Sequence, residues 1–147
     1  MGEFILHTRV YYEDTDAAGI VYHANYLKFM ERARTEWLRQ LGYDQRALAI
    51  EHELGFVVRK MTIDFVRPAK LDDELEIVST VLRCGKASIV FLQHVNQMDS
   101  GVGVGNGHAQ NLRVYCKAEV KVGCIDLASG GPQAMSENLY REIKHAS

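Results

Sequence analysis

Between residues 112 and 124 the side chains keep a period of two. Leu112, Val114, Cys116, Ala118, Val120, Val122 and Cys124 fall on one parity, and Arg113, Tyr115, Lys117, Glu119 and Lys121 on the other. Successive side chains of a strand point to opposite faces, so the pattern describes one long strand with one face on a core and the other in water. Its inner face needs an apolar layer to cover it.

That layer is supplied near the other end of the chain. Across residues 26–41, Leu27, Met30, Ala33, Trp37, Leu38 and Leu41 recur at helical spacing and form a wide apolar stripe. Asn25 is placed to cap this helix and Gly42 to stop it. Residues 4–12, rich in aromatic and branched side chains, read as a strand. Met61, Ile63 and Phe65 alternate with Lys60, Thr62 and Asp64 in a half-buried strand that ends before Pro68. Two more strands, 75–82 and 88–95, are joined by a short Cys84-Gly85-Lys86 turn, and 48–54 and 136–145 read as short helices. The order is strand, long helix, then about four strands whose short connections favour antiparallel pairing. The expected fold class is therefore α+β, a curved antiparallel sheet wrapped around a long central helix. Its edge strands would be protected by pairing with a second copy.

The chain has 147 residues and no linker, repeat or low-complexity tract, so one domain over 1–147 is expected. Apolar residues make up 47% and charged residues 24%, which excludes a disordered or fibrous chain. The net charge of −2 excludes a broad basic surface and with it nucleic acid as the main partner. No apolar run approaches membrane-spanning or signal-peptide length, which makes the cytoplasm the expected compartment. Cys84, Cys116 and Cys124 are odd in number and lack CxxC spacing, so neither a disulfide framework nor a zinc knuckle is expected.

Chemistry concentrates in residues 12–26. Tyr12-Glu13-Asp14-Thr15-Asp16 is followed by Gly19-Ile20-Val21-Tyr22-His23-Ala24-Asn25-Tyr26, which leads directly into the apolar helix. The amides of a first helical turn lack intrahelical partners and can hold negative charge developing on an oxygen. Asp16 precedes that turn and His23 adjoins it, and a carboxylate there can take a proton from water or attack a carbonyl carbon itself. Capping and solvation account equally well for an acidic turn before a helix, and on spacing they are favoured for Glu13 and Asp14. Asp14, Asp16 and Gly19 match calcium-loop positions one, three and six. Ala18 and Asn25 break that match at positions five and twelve, so calcium is not expected.

Other features are weaker. Gly101, Gly103, Gly105 and Gly107 fail the G-x-G-x-x-G spacing and read as a strand-to-strand loop. Cys116 and Cys124 share the apolar face of a strand and read as buried, inert thiols. Glu31 suits an ion pair with Arg34 or Lys28. Arg59, Lys60, Arg83 and Lys86 are surface charges, but Arg83 and Lys86 flank a tight turn and could reach phosphates.

Val10-Tyr11-Tyr12-Glu13-Asp14-Thr15-Asp16, the Gly19–Leu27 run and Glu31-Arg32-Ala33-Arg34 together closely resemble the hotdog-fold acyl-CoA thioesterases. The resemblance is to the YbgC type, associated with the Tol-Pal system and similar to 4-hydroxybenzoyl-CoA thioesterase. Val57-Val58-Arg59-Lys60-Met61 and Pro68-Ala69-Lys70-Leu71-Asp72-Asp73 extend it. It implies a hotdog fold and a homodimer or homotetramer with sites at the subunit interface. It puts Asp16 at the family's catalytic carboxylate and His23 beside the thioester, and makes Tyr22 and Asn25 motif positions and Arg83 and Lys86 candidates for coenzyme A phosphates. It implies no metal and no bound cofactor, with acyl-CoA, or an acyl carrier protein, bringing the thioester. The glycine-rich stretch 99–108 is longer than the family's usual hairpin. The expected reaction is thioester hydrolysis with Asp16 as base or nucleophile. The alternatives are a non-catalytic acyl-CoA or acyl-carrier-protein binding module and a hotdog 3-hydroxyacyl thioester dehydratase using His23 with Glu31.

Overall fold

The computed structural model describes residues 2–98 and 113–147. Leu112 and the glycine-rich stretch 99–108 lie outside the described residues. The strands are β1 (Glu3–Arg9), β2 (Leu54–Phe65), β3 (Glu74–Cys84), β4 (Ser88–Gln97) and β5 (Val114–Asp126). The helices are α1 (Asn25–Gln40), α2 (Gln45–His52) and α3 (Glu137–Ala146). All strand pairs are antiparallel and the sheet order is β1-β3-β4-β5-β2, an open sheet with β1 and β2 at its edges.

The alternation in β5 becomes a two-sided surface. Cys116, Ala118, Val120, Val122 and Cys124 are buried, while Lys117, Glu119 and Lys121 are exposed. The buried face joins Leu75 and Ile77 of β3 and Ile89, Phe91 and Val95 of β4. Against it lie Tyr26, Phe29, Met30, Ala33, Trp37 and Leu38 of α1, all in one core. Trp37 meets Phe91 edge to face, with ring centroids 5.1 Å apart. α2 packs on β2, and α3 buries Leu139 and Ile143 beside β3.

Several expectations need correction. β1 ends at Arg9, and residues 12–14 form a single 3-10 turn instead of strand. β2 begins at Leu54, six residues before the strand expected from alternation, and α2 ends before it. The register of β2 against β5 slips between Val58 and Lys60. A bulge there moves the inward parity from even to odd positions and hides the continuity of the strand. Asn25 does not cap α1. The cap position is Ala24, without a side-chain hydrogen bond, and Asn25 is the first helical residue. Gly42 does end the helix region, at φ +96°, donating its amide to the Arg39 carbonyl. Leu27, expected in the apolar stripe, is partly exposed and lines a groove.

Candidate active site

The segment between β1 and α1 is held by its own backbone. Thr15 bridges Val21, the Asp16 amide donates to the Ile20 carbonyl at 2.9 Å, and Gly19 takes φ +81° to close the turn. Asp16 stands at the tip of this small hairpin, exposed, with one carboxylate oxygen accepting from the Ala18 amide at 2.8 Å. The hairpin is stitched to the segment before β3: Val21 donates to Ala69, Ile20 bridges Lys70, and Val10 donates to Asp73.

Asp14 behaves unlike its neighbour, and unlike the solvated charge expected of it. It is 5% exposed, accepts the Tyr11 amide at 2.8 Å and accepts the Asn25 side-chain amide at 2.9 Å. Its backbone carbonyl accepts from Tyr22. Asp14 and Asn25 thus clasp the loop to the start of α1, and the Asn25 amide is spent on that clasp instead of a cap. Sequence reasoning missed this pair because burial of a loop carboxylate depends on a partner eleven residues away.

The helix start is less open than expected. The Asn25 and Leu27 amides donate back to Tyr22 and Ala24 carbonyls, whereas the amides of His23 and Ala24 donate to no acceptor among the described residues. His23 is exposed and sits in aromatic company: Tyr22 at 4.6 Å and Phe65 at 6.0 Å between centroids, with Tyr26 5.9 Å from Phe65. The rings of His23, Tyr26 and Phe65 line a groove of about 580 Å³ with Ile20, Val66 and Pro68. Tyr26 is buried, accepts the Ala69 amide at 3.0 Å, and has its phenol pKa pushed up by burial.

Asp16, Tyr22, His23 and Asn25 therefore share one end of the molecule. Arg83 and Lys86 do not join them within one chain. They lie at and beyond the far end of β3, whose eleven residues span about 33 Å. Arg83 and Lys60 border a groove on the outer sheet face with Lys117, Lys121, Asp64 and Glu119. Among the described residues no group of His, Cys, Asp and Glu could hold a metal ion. The three cysteines are free and buried; burial pushes Cys116 and Cys124 up to about 12. No helix of the described residues is long and apolar enough to cross a membrane.

The profile of the Thioesterase-like superfamily matches residues 10–143, which takes in the hairpin, α1 and the strands β2 to β5. The chain belongs to this superfamily. It is 42% identical over 142 residues to the acyl-CoA thioesterase YbgC of Haemophilus influenzae, covering 97% of this chain and 95% of that one. It is 34% identical to the YbgC of Helicobacter pylori, covering 96% and 99%. Among solved structures, a probable thioesterase from Bartonella henselae is 34% identical with a TM-score of 0.78, covering 91% of this chain and 99% of that one. The hotdog fold implied by the hairpin and helix motifs is the fold observed.

Proposed function

We infer that this thioesterase hydrolyses acyl-CoA thioesters to the free acid and coenzyme A, with Asp16 as the base or nucleophile. The observation that carries this is the position of Asp16, on the backbone-bonded hairpin before α1, and of His23, between that hairpin and the helix, in a chain similar along nearly its whole length to acyl-CoA thioesterases. As a base, Asp16 takes a proton from water while the hydroxide oxygen bonds to the acyl carbon. As a nucleophile, it forms an acyl anhydride that water then opens. In either course the carbon–sulfur bond breaks and the thiolate of coenzyme A leaves with its electron pair and takes a proton. The free amides beside His23 stabilise the oxyanion, and His23 orients the thioester or the water.

Tyr22, with its exposed ring, and Asn25, at the helix start, contribute to substrate binding. Arg83 and Lys86 take the phosphates of coenzyme A. Their separation from Asp16 along β3 means that they serve the Asp16 of another copy, so the protein works as a homodimer or homotetramer with sites between subunits. The edge strand β2 supports such pairing: Val57, Val58 and Phe65 are half exposed along it. Residues 1–147 act as one domain in the cytoplasm, consistent with three free thiols. An acyl carrier protein is an alternative carrier of the thioester.

Release of free thiol from a panel of acyl-CoAs tests this. Asp16→Asn is expected to lose at least a hundredfold in kcat with its melting temperature unchanged. Near-normal turnover removes Asp16 from the chemistry. Tight acyl-CoA binding by the native protein without thiol release points instead to a binding module.

A further inference from the structure

A chain of polar side chains runs under α1. Gln93, in the middle of β4, is fully buried. Its amide nitrogen donates to the Met30 carbonyl at 3.0 Å and to Ser79 Oγ at 2.8 Å, and its oxygen accepts from Arg34 Nη1 at 2.9 Å. Arg34 Nη2 donates to Glu31 Oε2 at 2.8 Å, and Glu31 Oε1 accepts from Thr35 at 2.9 Å. The guanidinium is thereby fixed in place, 7% exposed, on the face of α1 that meets the sheet.

The buried Arg34 and the half-exposed Glu31 border a narrow cleft, open to solvent, whose other walls include Trp37, Phe56, Ile89 and Phe91. A neighbouring groove of about 880 Å³ shares Arg34, Glu31 and Val58 with it and runs on to Leu27 in the first turn of α1. The trough therefore leads from the helix start to Arg34, a distance of about 10 Å at the helical rise per residue. An acyl group attached to a thioester at the helix start would point down it.

A buried arginine is costly, and apolar residues of the same volume would stabilise the core as well. Its chemistry is specific, however. A guanidinium has five N–H donors, of which two serve Gln93 and Glu31, while an ionised Glu31 only accepts. Side by side they offer one donor and one acceptor, the complement of a hydroxyl group. Their formal charges cancel, so a carboxylate at the same place would meet repulsion from Glu31.

We propose that this cleft selects acyl groups bearing a hydroxyl at their far end, held between Arg34 and Glu31, over plain alkyl groups of equal length. The proposal rests on thioester hydrolysis at the start of α1 and adds the substrate class. It makes Arg34 and Glu31 specificity-determining residues.

The test compares straight-chain acyl-CoAs of six, eight and ten carbons with their terminally hydroxylated counterparts. At the length that reaches Arg34, kcat/KM is expected to favour the hydroxylated substrate by on the order of ten- to a hundredfold, the range for a hydrogen bond to a charged group. Glu31→Gln and Arg34→Lys are expected to cut that ratio to about threefold or less. Both keep a polar group in place and so spare the buried Gln93 network better than Arg34→Met. A ratio near one at every length in the native protein, or one unchanged in both variants, overturns the proposal. Failure of hydrolysis shows separately, as no thiol release from either series. In that event calorimetric binding of the same substrates reads the cleft: a tenfold tighter Kd for the hydroxylated member upholds selection, and equal affinity overturns it.

Discussion

Asp14 and Asp16 are two residues apart and have opposite surroundings. Asp14 is enclosed with two donors on its carboxylate, while Asp16 faces solvent with one. Removing Asp14 leaves the buried Asn25 amide and the part-buried Tyr11 N–H without acceptors, which costs about 1–3 kcal/mol. Asp14→Ala is expected to show that loss in urea unfolding and to lower turnover by loosening the hairpin. Asp16→Asn should stay within about 0.5 kcal/mol of the native protein. The sequence places both carboxylates in the loop before α1 but does not separate them, because the distinction lies in the Asn25 partnership across the turn. Arg34 is a similar case. Its ion pair with Glu31 is legible from their spacing on a helix, but its burial depends on Gln93, fifty-nine residues later. Gln93→Leu removes one of the two bonds that hold the Arg34 guanidinium and is expected to cost about 1–3 kcal/mol, read from the same unfolding curves.

At the scale of elements, legibility follows unbroken periodicity. β5 and α1 keep their periods throughout, and their faces are readable before any neighbour is known. β2 changes parity at its bulge: Leu54, Phe56 and Val58 share one parity, and Met61, Ile63 and Phe65 the other. Only its second half therefore looks like a strand. The end of α1 was legible because one residue there must adopt positive φ. Gly42→Ala is expected to cost about 1 kcal/mol, the penalty for a side chain in that conformation, measured as a lower midpoint of thermal unfolding.

For the whole molecule, the core sets an alkaline limit. Burial pushes Cys116 and Cys124 from an ordinary 9.0 up to about 12. Burial and the bond to Asp73 push Tyr115 up to about 12 as well. The unfolded chain releases its thiol protons near pH 9, whereas the folded protein keeps them. Stability is therefore full below pH 9 and falls as pH rises towards 12, by about 1.4 kcal/mol per pH unit for each buried thiol. Unfolding midpoints at pH 8 and pH 10 are expected to differ more in the native protein than in a variant with both cysteines replaced by alanine. An equal difference assigns the alkaline loss to other groups. The fold class, the central helix and the loop that carries Asp16 were legible in the sequence. The distance between that loop and Arg83 was not, since it depends on the direction in which β3 runs.

That distance has a genetic corollary. Two defective alleles, one altered at Asp16 and the other at both Arg83 and Lys86, should complement each other when expressed together. Each mixed dimer concentrates both lesions in one site and leaves the other intact, so equal co-expression should restore about a quarter of wild-type activity at low substrate. No recovery would mean that each chain supplies its whole site alone.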